Sequence, residues 1–356
     1  MAIGNESEEE SDEKILVYFG LTGPIYGLVS GIILPIIILN NLIGNALIIA
    51  FSRSLTPSNH ARVLYISIAL ADLLPTIHHF FLHIFLSDGL DFLTDGHYDL
   101  ALNNISPLVC RFNWFLFGVA EQFCNWLLVL FSAERLFVVF FPFKARNFTA
   151  RTSLYGVIGT FAISVTYHLT FINTHNTVPD TLHEGELECF ESNDAFSLTL
   201  FTVNFIFVYF LVPGIINAIS NVILLLKVKV AAESRKVMSS GLKGTREGGR
   251  GNEGSELLTT TTLVIMSFLH FLLVLPVVLT GIYTRILYVG KEAHEELLND
   301  VVNIFSSAIA FSNISNGTSF YVYFLRVNPF RIALLSLFAS KFRDSYPSNS
   351  AIAPRS

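Results

Sequence analysis

Apolar residues dominate seven stretches of this chain, near Ile25 to Phe51, Val63 to Leu86, Cys110 to Val139, Ser153 to Ile172, Ser197 to Val228, Leu257 to Tyr283 and Val301 to Phe324. At about 1.5 Å of rise per residue, a helix of roughly 20 such residues crosses the hydrocarbon core of a bilayer. The pattern therefore predicts an all-α membrane protein, a bundle of seven transmembrane helices over 25–342, with termini on opposite sides. After Tyr323, the segment Asn328-Pro329-Phe330-Arg331 opens a further run, Ile332 to Phe338, too short to cross. It is expected as a short amphipathic helix along the inner surface. Ile15 to Tyr26 is apolar but broken by Gly20, Gly23-Pro24 and Gly27, which marks it as a lead-in at the end of an N-terminal segment, 1–24. Residues 231–256 alternate glycines with charges and predict a flexible loop, and 343–356 form a short tail.

Composition agrees with the pattern: 52% of residues are hydrophobic and 14% charged, and the mean hydropathy is +0.56. Charge then orients the chain. Of 22 Lys and Arg, 18 fall at or after spans one, three, five and seven, so the positive-inside rule puts the N-terminus outside. Of 28 acidic residues, 20 fall in the four outer segments, which gives that face a field that attracts cations. The start lacks a basic n-region, so the first span is expected to insert the chain itself. Sequons at Asn5 and Asn104 lie outside and are expected to carry glycans. Cys110 and Cys189 both lie on the oxidising side and are natural disulfide partners, whereas Cys124 reads as a buried apolar filler.

Polar residues inside the spans are costly, and they mark the candidate chemistry. Span one carries Asn40-Asn41 and Gly44-Asn45, an amide seam that must face other helices. Span two holds Asp72, an isolated carboxylate, then His79 and His83 on one helical face, where a hydrogen-bonded pocket wall and a metal site are both open although no third ligand is evident. In span three, Trp114, Phe117, Gly118, Glu121 and Gln122 share a face, with Glu121 roughly 16 Å below Cys110. Glu134-Arg135 closes that span, a pair too expensive at a hydrocarbon edge unless it is paired or used. Pro213 and Pro276 predict helix kinks. The serines and histidines lie scattered, without nucleophile, base and oxyanion donors together, so no enzyme is expected.

In order and register, Gly44-Asn45, Leu70-Ala71-Asp72, Cys110 with Cys189, Glu134-Arg135 followed by Pro142, Pro213, Pro276, and Tyr323 with Phe330 resemble a rhodopsin-like (class A) G-protein-coupled receptor. Glu134 to Val139 and the tenor of span one are similar to invertebrate FMRFamide-like neuropeptide receptors and nematode chemoreceptor-like relatives. The resemblance implies a plasma-membrane receptor in which Asn45, Asp72, Glu134, Arg135 and Tyr323 serve activation and coupling to a heterotrimeric G protein, with a possible sodium ion near Asp72. Val274 and His270 stand where the family has tryptophan and phenylalanine, Ser319-Phe320 replaces its Asn-Pro step, and Asn221 its span-five tyrosine.

The amine-receptor aspartate is Phe117 here, and span seven has no opsin-type lysine. What remains is a pocket of Trp114, Phe117, Glu121, Gln122, His79 and His83 for an extracellular ligand. A basic or amidated neuropeptide would set a guanidinium on Glu121; alternatively Glu121 is protonated and bonded to His79 or a backbone carbonyl. A chemosensory receptor for a small molecule, and an ion-coupled transporter or channel using Asp72, Glu121 and the histidines, are the competing readings. The lipid membrane is an expected partner; nucleic acid is not.

Overall fold

The structure, a computed structural model, describes residues 24–56, 58–145, 147–173, 175–179, 187–191, 204–241, 250–290 and 295–345. Asn5, the acidic N-terminal cluster and the end of the tail lie outside them. Among the described residues, seven long helices follow one another: α1 (Pro24–Leu28, Val29–Ile33 and Leu34–Ala50), α2 (Asn59–Pro75, Thr76–Gly89 and Leu90–Leu93), α3 (Pro107–Phe140), α4 (Ala150–Leu169), α5 (Asn204–Leu211 and Val212–Gly241), α6 (Arg250–Gly290) and α7 (Glu295–Ser312 and Ser315–Arg326). An eighth, α8, spans Asn328–Ser345. Among the described residues, five stretches are long and apolar enough to cross a membrane: Ile25–Ala50, Asn59–Leu93, Pro107–Phe140, Ile206–Lys227 and Val264–Thr284. The chain is an all-α membrane protein, and a small hairpin pairs β1 (His175–Pro179) with antiparallel β2 (Leu187–Glu191).

Packing inverts the rule for soluble helices. In α1, Ile36 and Leu39 are 66% and 58% exposed while Asn41 and Asn45 are fully covered. Lipid rewards apolar groups outside, and amides find hydrogen-bond partners only inside. The amides meet α7, which breaks at Asn313-Ile314 between its two segments. The Asn41 Nδ2 donates to the Asn313 carbonyl at 2.6 Å and to its Oδ1 at 3.0 Å. Thr76 Oγ1 and Asn316 Nδ2 donate to the same Oδ1, each at 3.0 Å. Asn45 Nδ2 donates to the Asn316 carbonyl at 2.9 Å. A helix break in the membrane interior frees backbone carbonyls; α1 supplies donors to two of them, and α2 supplies one to the Asn313 side chain.

Two prolines explain local widening. Pro35 and Pro213 follow π-helical segments, Val29–Ile33 and Asn204–Leu211, that contain the residue four positions back, where a proline ring crowds the carbonyl and removes its N–H partner. Pro276 lies within α6, and Thr280 Oγ1 donates to its carbonyl at 2.7 Å.

Three boundaries differ from the sequence reading. Pro24–Leu28 is helix rather than lead-in, because Pro24 suits the first helical turn and Gly27 is a packing notch: a Cβ there would lie 2.3 Å from the Phe92 ring. The expected 231–256 loop is helical at both ends, since the good helix formers Ala231, Ala232, Glu233 and Lys236 extend α5 to Gly241 and α6 is described from Arg250; 242–249 lie outside the described residues. The C-terminal helix is longer than its apolar run.

Gly317 faces the α1 amides so closely that an added Cβ would meet Asn41 Oδ1 at 2.0 Å. Gly317→Ala should destabilise the bundle by about 1–3 kcal/mol, measured as a lower thermal unfolding midpoint in detergent. An unchanged midpoint would contradict this packing.

Candidate functional site

Under the hairpin, α3 presents an aromatic cluster. Cys110 and Cys189 are disulfide-bonded, and the Asn104 Oδ1 accepts the Cys189 N–H at 2.9 Å, a fastening role beside its place in a sequon. So anchored, the hairpin lays His175 flat on Trp114, ring centres 4.4 Å apart and 17° from parallel. Trp114 meets Phe117 edge-on at 5.5 Å and His83 at 5.9 Å. His79 lies 4.2 Å from Phe117 and 5.2 Å from His83. Thus Trp114, Phe117, His79 and His83 come together as one ring cluster. No group of three or more metal-ligating side chains occurs among the described residues.

Beside this cluster is a cavity of about 30 Å³ lined by Trp114, Phe117, His168, His175, Asn204 and Tyr209, among others. That is room for about two waters. Glu121, one turn further along α3, is 9% exposed and opens instead on a central cavity of about 10 Å³ with Cys124, Asn125, His270 and Asn316. Among the described residues no hydrogen bond joins Glu121 to His79. Gln122 is buried, its Oε1 without a partner among them.

Asn125 links α3 to α6. Its Nδ2 donates to the Glu121 carbonyl at 2.9 Å, which turns its Oδ1 toward His270 Nε2 at 2.7 Å. The imidazole must therefore carry its proton on Nε2 to donate. His270, singled out in the sequence only as a departure, thus occupies a polar contact where the resembled family is apolar. Cys124, read as filler, donates its thiol to Asp72 Oδ1 at 3.0 Å.

At the other end of α3, Glu134 Oε2 stands 3.8 Å from Arg135 Nη2, and its Oε1 stands 3.4 Å from His60 Nε2. Both gaps exceed hydrogen-bond length, so the pairing is electrostatic alone. Nε and Nη2 of the buried Arg135 have no hydrogen-bond partner among the described residues. Its guanidinium lies over Phe131, 5.2 Å from the ring centre. Tyr65 continues the contact, edge-on to Phe131 and to Tyr323, 5.2 Å from each. Tyr323 in turn packs on Phe330 of α8 at 6.4 Å. Sequence reasoning did not single out Tyr65, and it placed His60 in the turn after span one and His168 among the polar residues of span four without a role for either.

His175 lies in β1, outside the membrane-spanning helices, and burial pushes its imidazole down from 6.5 to about 3. A folded-state value below the unfolded one contributes stability fully above about 6.5 and loses it as pH falls toward 3. Thermal unfolding midpoints should decline over that window. His175→Phe, which keeps a ring on Trp114, should flatten the decline; equal slopes in both proteins would overturn the assignment.

Comparison with curated proteins finds no match. Residues 44–316 match the family described as 7 transmembrane receptor (rhodopsin family). That match takes in Asn45, Asp72, the Cys110–Cys189 pair, Arg135 and the break in α7, and the chain belongs to the rhodopsin family of seven-transmembrane receptors.

Proposed function

We propose that the chain is a plasma-membrane receptor for a basic or amidated neuropeptide, with its N-terminus outside, and that it passes ligand binding to a heterotrimeric G protein at Arg135. The observation that carries the coupling half is the state of Arg135: a buried guanidinium with unmet donors, held by a loose ion pair and connected through Phe131, Tyr65 and Tyr323 to α7 and α8. Burying unsatisfied charge is costly, so a partner that supplies acceptors gains what the resting protein leaves unmet. The ligand half rests on the acidic outer segments, which raise the local concentration of a cationic peptide. Its resemblance to FMRFamide-like receptors points the same way.

In this reading, the ligand enters beside the hairpin and pushes on Phe117, and a cationic side chain pairs with Glu121 when that ring moves. The push reaches Asn125 on the next turn of α3 and releases His270, freeing α6 to swing. Energy comes from tighter ligand binding to the released state. A second reading, a small-molecule cue, draws on the closure of the hairpin-side cavity by the His175–Trp114 stack. Sodium beside Asp72 is no part of the proposal.

Two measurements test this. In cells screened with amidated peptides and read by second messenger, Glu121→Gln should raise the half-maximal concentration of the activating peptide by tenfold or more, and unchanged potency would refute the ion pair. His270→Phe removes the donor to Asn125, a contact of about 1 kcal/mol, and should raise ligand-independent signalling about fivefold. Basal signalling at or below the parent's would rule out the release of His270 as the step that frees α6.

A further inference from the structure

We infer that His60 is a positioning residue for the Arg135 site: from the start of α2 it draws one oxygen of Glu134 aside, and so keeps that carboxylate from closing on Arg135. The inference rests on the coupling reading above and names what sets the grip on the guanidinium.

The argument starts at Glu134. Its side chain is 8% exposed, and neither carboxylate oxygen has a hydrogen-bond partner among the described residues. Oε2 stays 3.8 Å from Arg135 Nη2 while Oε1 lies 3.4 Å from His60 Nε2. Charge-assisted bonds close to about 2.7–2.9 Å when they are free to form. A carboxylate drawn two ways forms neither, and here it lies nearer to α2. Arg135 has its ion pair with Glu134, and its Nε and Nη2 are left without hydrogen bonds among the described residues. Whatever shifts Glu134 therefore shifts the hold on Arg135.

Two contacts aim the imidazole. Ser58, the N-cap residue of α2, sets its Oγ 2.7 Å from His60 Nδ1 and 3.1 Å from Nε2. Donating along the shorter contact, the hydroxyl takes the lone pair of Nδ1 and leaves the ring proton on Nε2, which faces Glu134. On its other side the ring meets Phe148 edge-on, centres 6.2 Å apart. Phe148 in turn stacks on Phe137 of α3 at 5.0 Å and 23°. The imidazole thus belongs to α2 but rests on a wall that α3 helps to build, with its N–H directed at the acid of α3.

Neighbouring cations are turned elsewhere. Arg62 donates to Asn59 Oδ1, Lys144 lies over the Phe141 ring at 5.6 Å, and Arg53 and Arg151 are exposed; Arg146 lies outside the described residues. The sign follows from charge. A neutral N–H pulls on a carboxylate less than a full cation does, so it loosens the pair without breaking it. Without that N–H, Glu134 turns wholly to Arg135 and the grip tightens. A permanent cation at position 60 draws the carboxylate away and the grip weakens.

The test takes the full chain in lipid nanodiscs and follows GDP release, with no ligand added, from the class of heterotrimeric G protein that the parent accelerates. His60→Phe keeps a ring on Phe148 but loses the N–H, and should lower the acceleration by about threefold or more. His60→Gln, whose amide reaches about as far as Nε2, should restore most of the loss, and His60→Arg should raise the acceleration above the parent's. In the Glu134→Gln background the three changes should lose their effect. Parent-like release by His60→Phe, a His60→Gln no better than His60→Phe, or effects that persist beside Glu134→Gln would overturn the inference; the last would mark a packing role. Unfolding midpoints give an arm without G protein: His60→Phe and Glu134→Gln remove the same contact, so their shifts should depart from additivity by about 1 °C or more. Additive shifts would also overturn the inference. A parent that accelerates no class tells against the coupling reading instead, and the midpoints then judge His60 alone.

Discussion

The bundle depends on the break in α7 at Asn313. A membrane interior holds no bulk water, so a helix that stops and restarts there exposes carbonyls that only neighbouring side chains can satisfy. Asn41 and Asn45 from α1 do so, and the Asn313 side chain gathers three donors on one oxygen, Thr76 of α2 among them. These bonds tie α1, α2 and α7 into one block. Gly317 allows the approach, and Asp72 with Cys124 carries the block to α3. On α6, His270 meets Asn125 of α3. The block at the α7 break and the Asn125–His270 contact are the two parts on which the proposed switch turns.

Much of this was legible in the sequence. Seven apolar runs, the amide seam of span one and the Cys110–Cys189 pair follow from the cost of polar groups in hydrocarbon and from redox side, and these costs act on single residues. The partners of those residues were less legible. Asn41 announces that it must bond inward, but not that it bonds to Asn313, 272 positions away. Gly118 looked like one more small residue on a pocket face; that a Cβ there would meet His168 depends on how α4 packs. Glu121 shows the same limit. Spacing puts it on the face of Trp114 and Phe117, yet it opens on a different cavity, because one helical turn is enough to pass beneath the ring layer.

Between the two ends of α3 the signal has a physical route made of contacts rather than charges. At one end the cluster of Trp114, Phe117, His79 and His83 is pressed by the hairpin through His175. Midway, Glu121 and Asn125 share one backbone bond, so a shift of that turn changes what Asn125 offers to α6. At the far end, rings from α2, α3 and α7 meet beneath Arg135, which links the guanidinium to the block held at Asn313. His270, which departs from the resembled family, sits at the midpoint, and its polar contact with Asn125 is the bond that the proposed switch would break.

The most direct measurement of the central claim, that Arg135 is the site at which this receptor engages its transducer, is nucleotide exchange with purified components. The receptor in nanodiscs, mixed with each class of heterotrimeric G protein, should accelerate GDP release from at least one, and Arg135→Gln should abolish that acceleration while leaving the unfolding midpoint within a few degrees of the parent's. Equal acceleration by the parent and by Arg135→Gln, or acceleration by neither across all classes, would contradict the account.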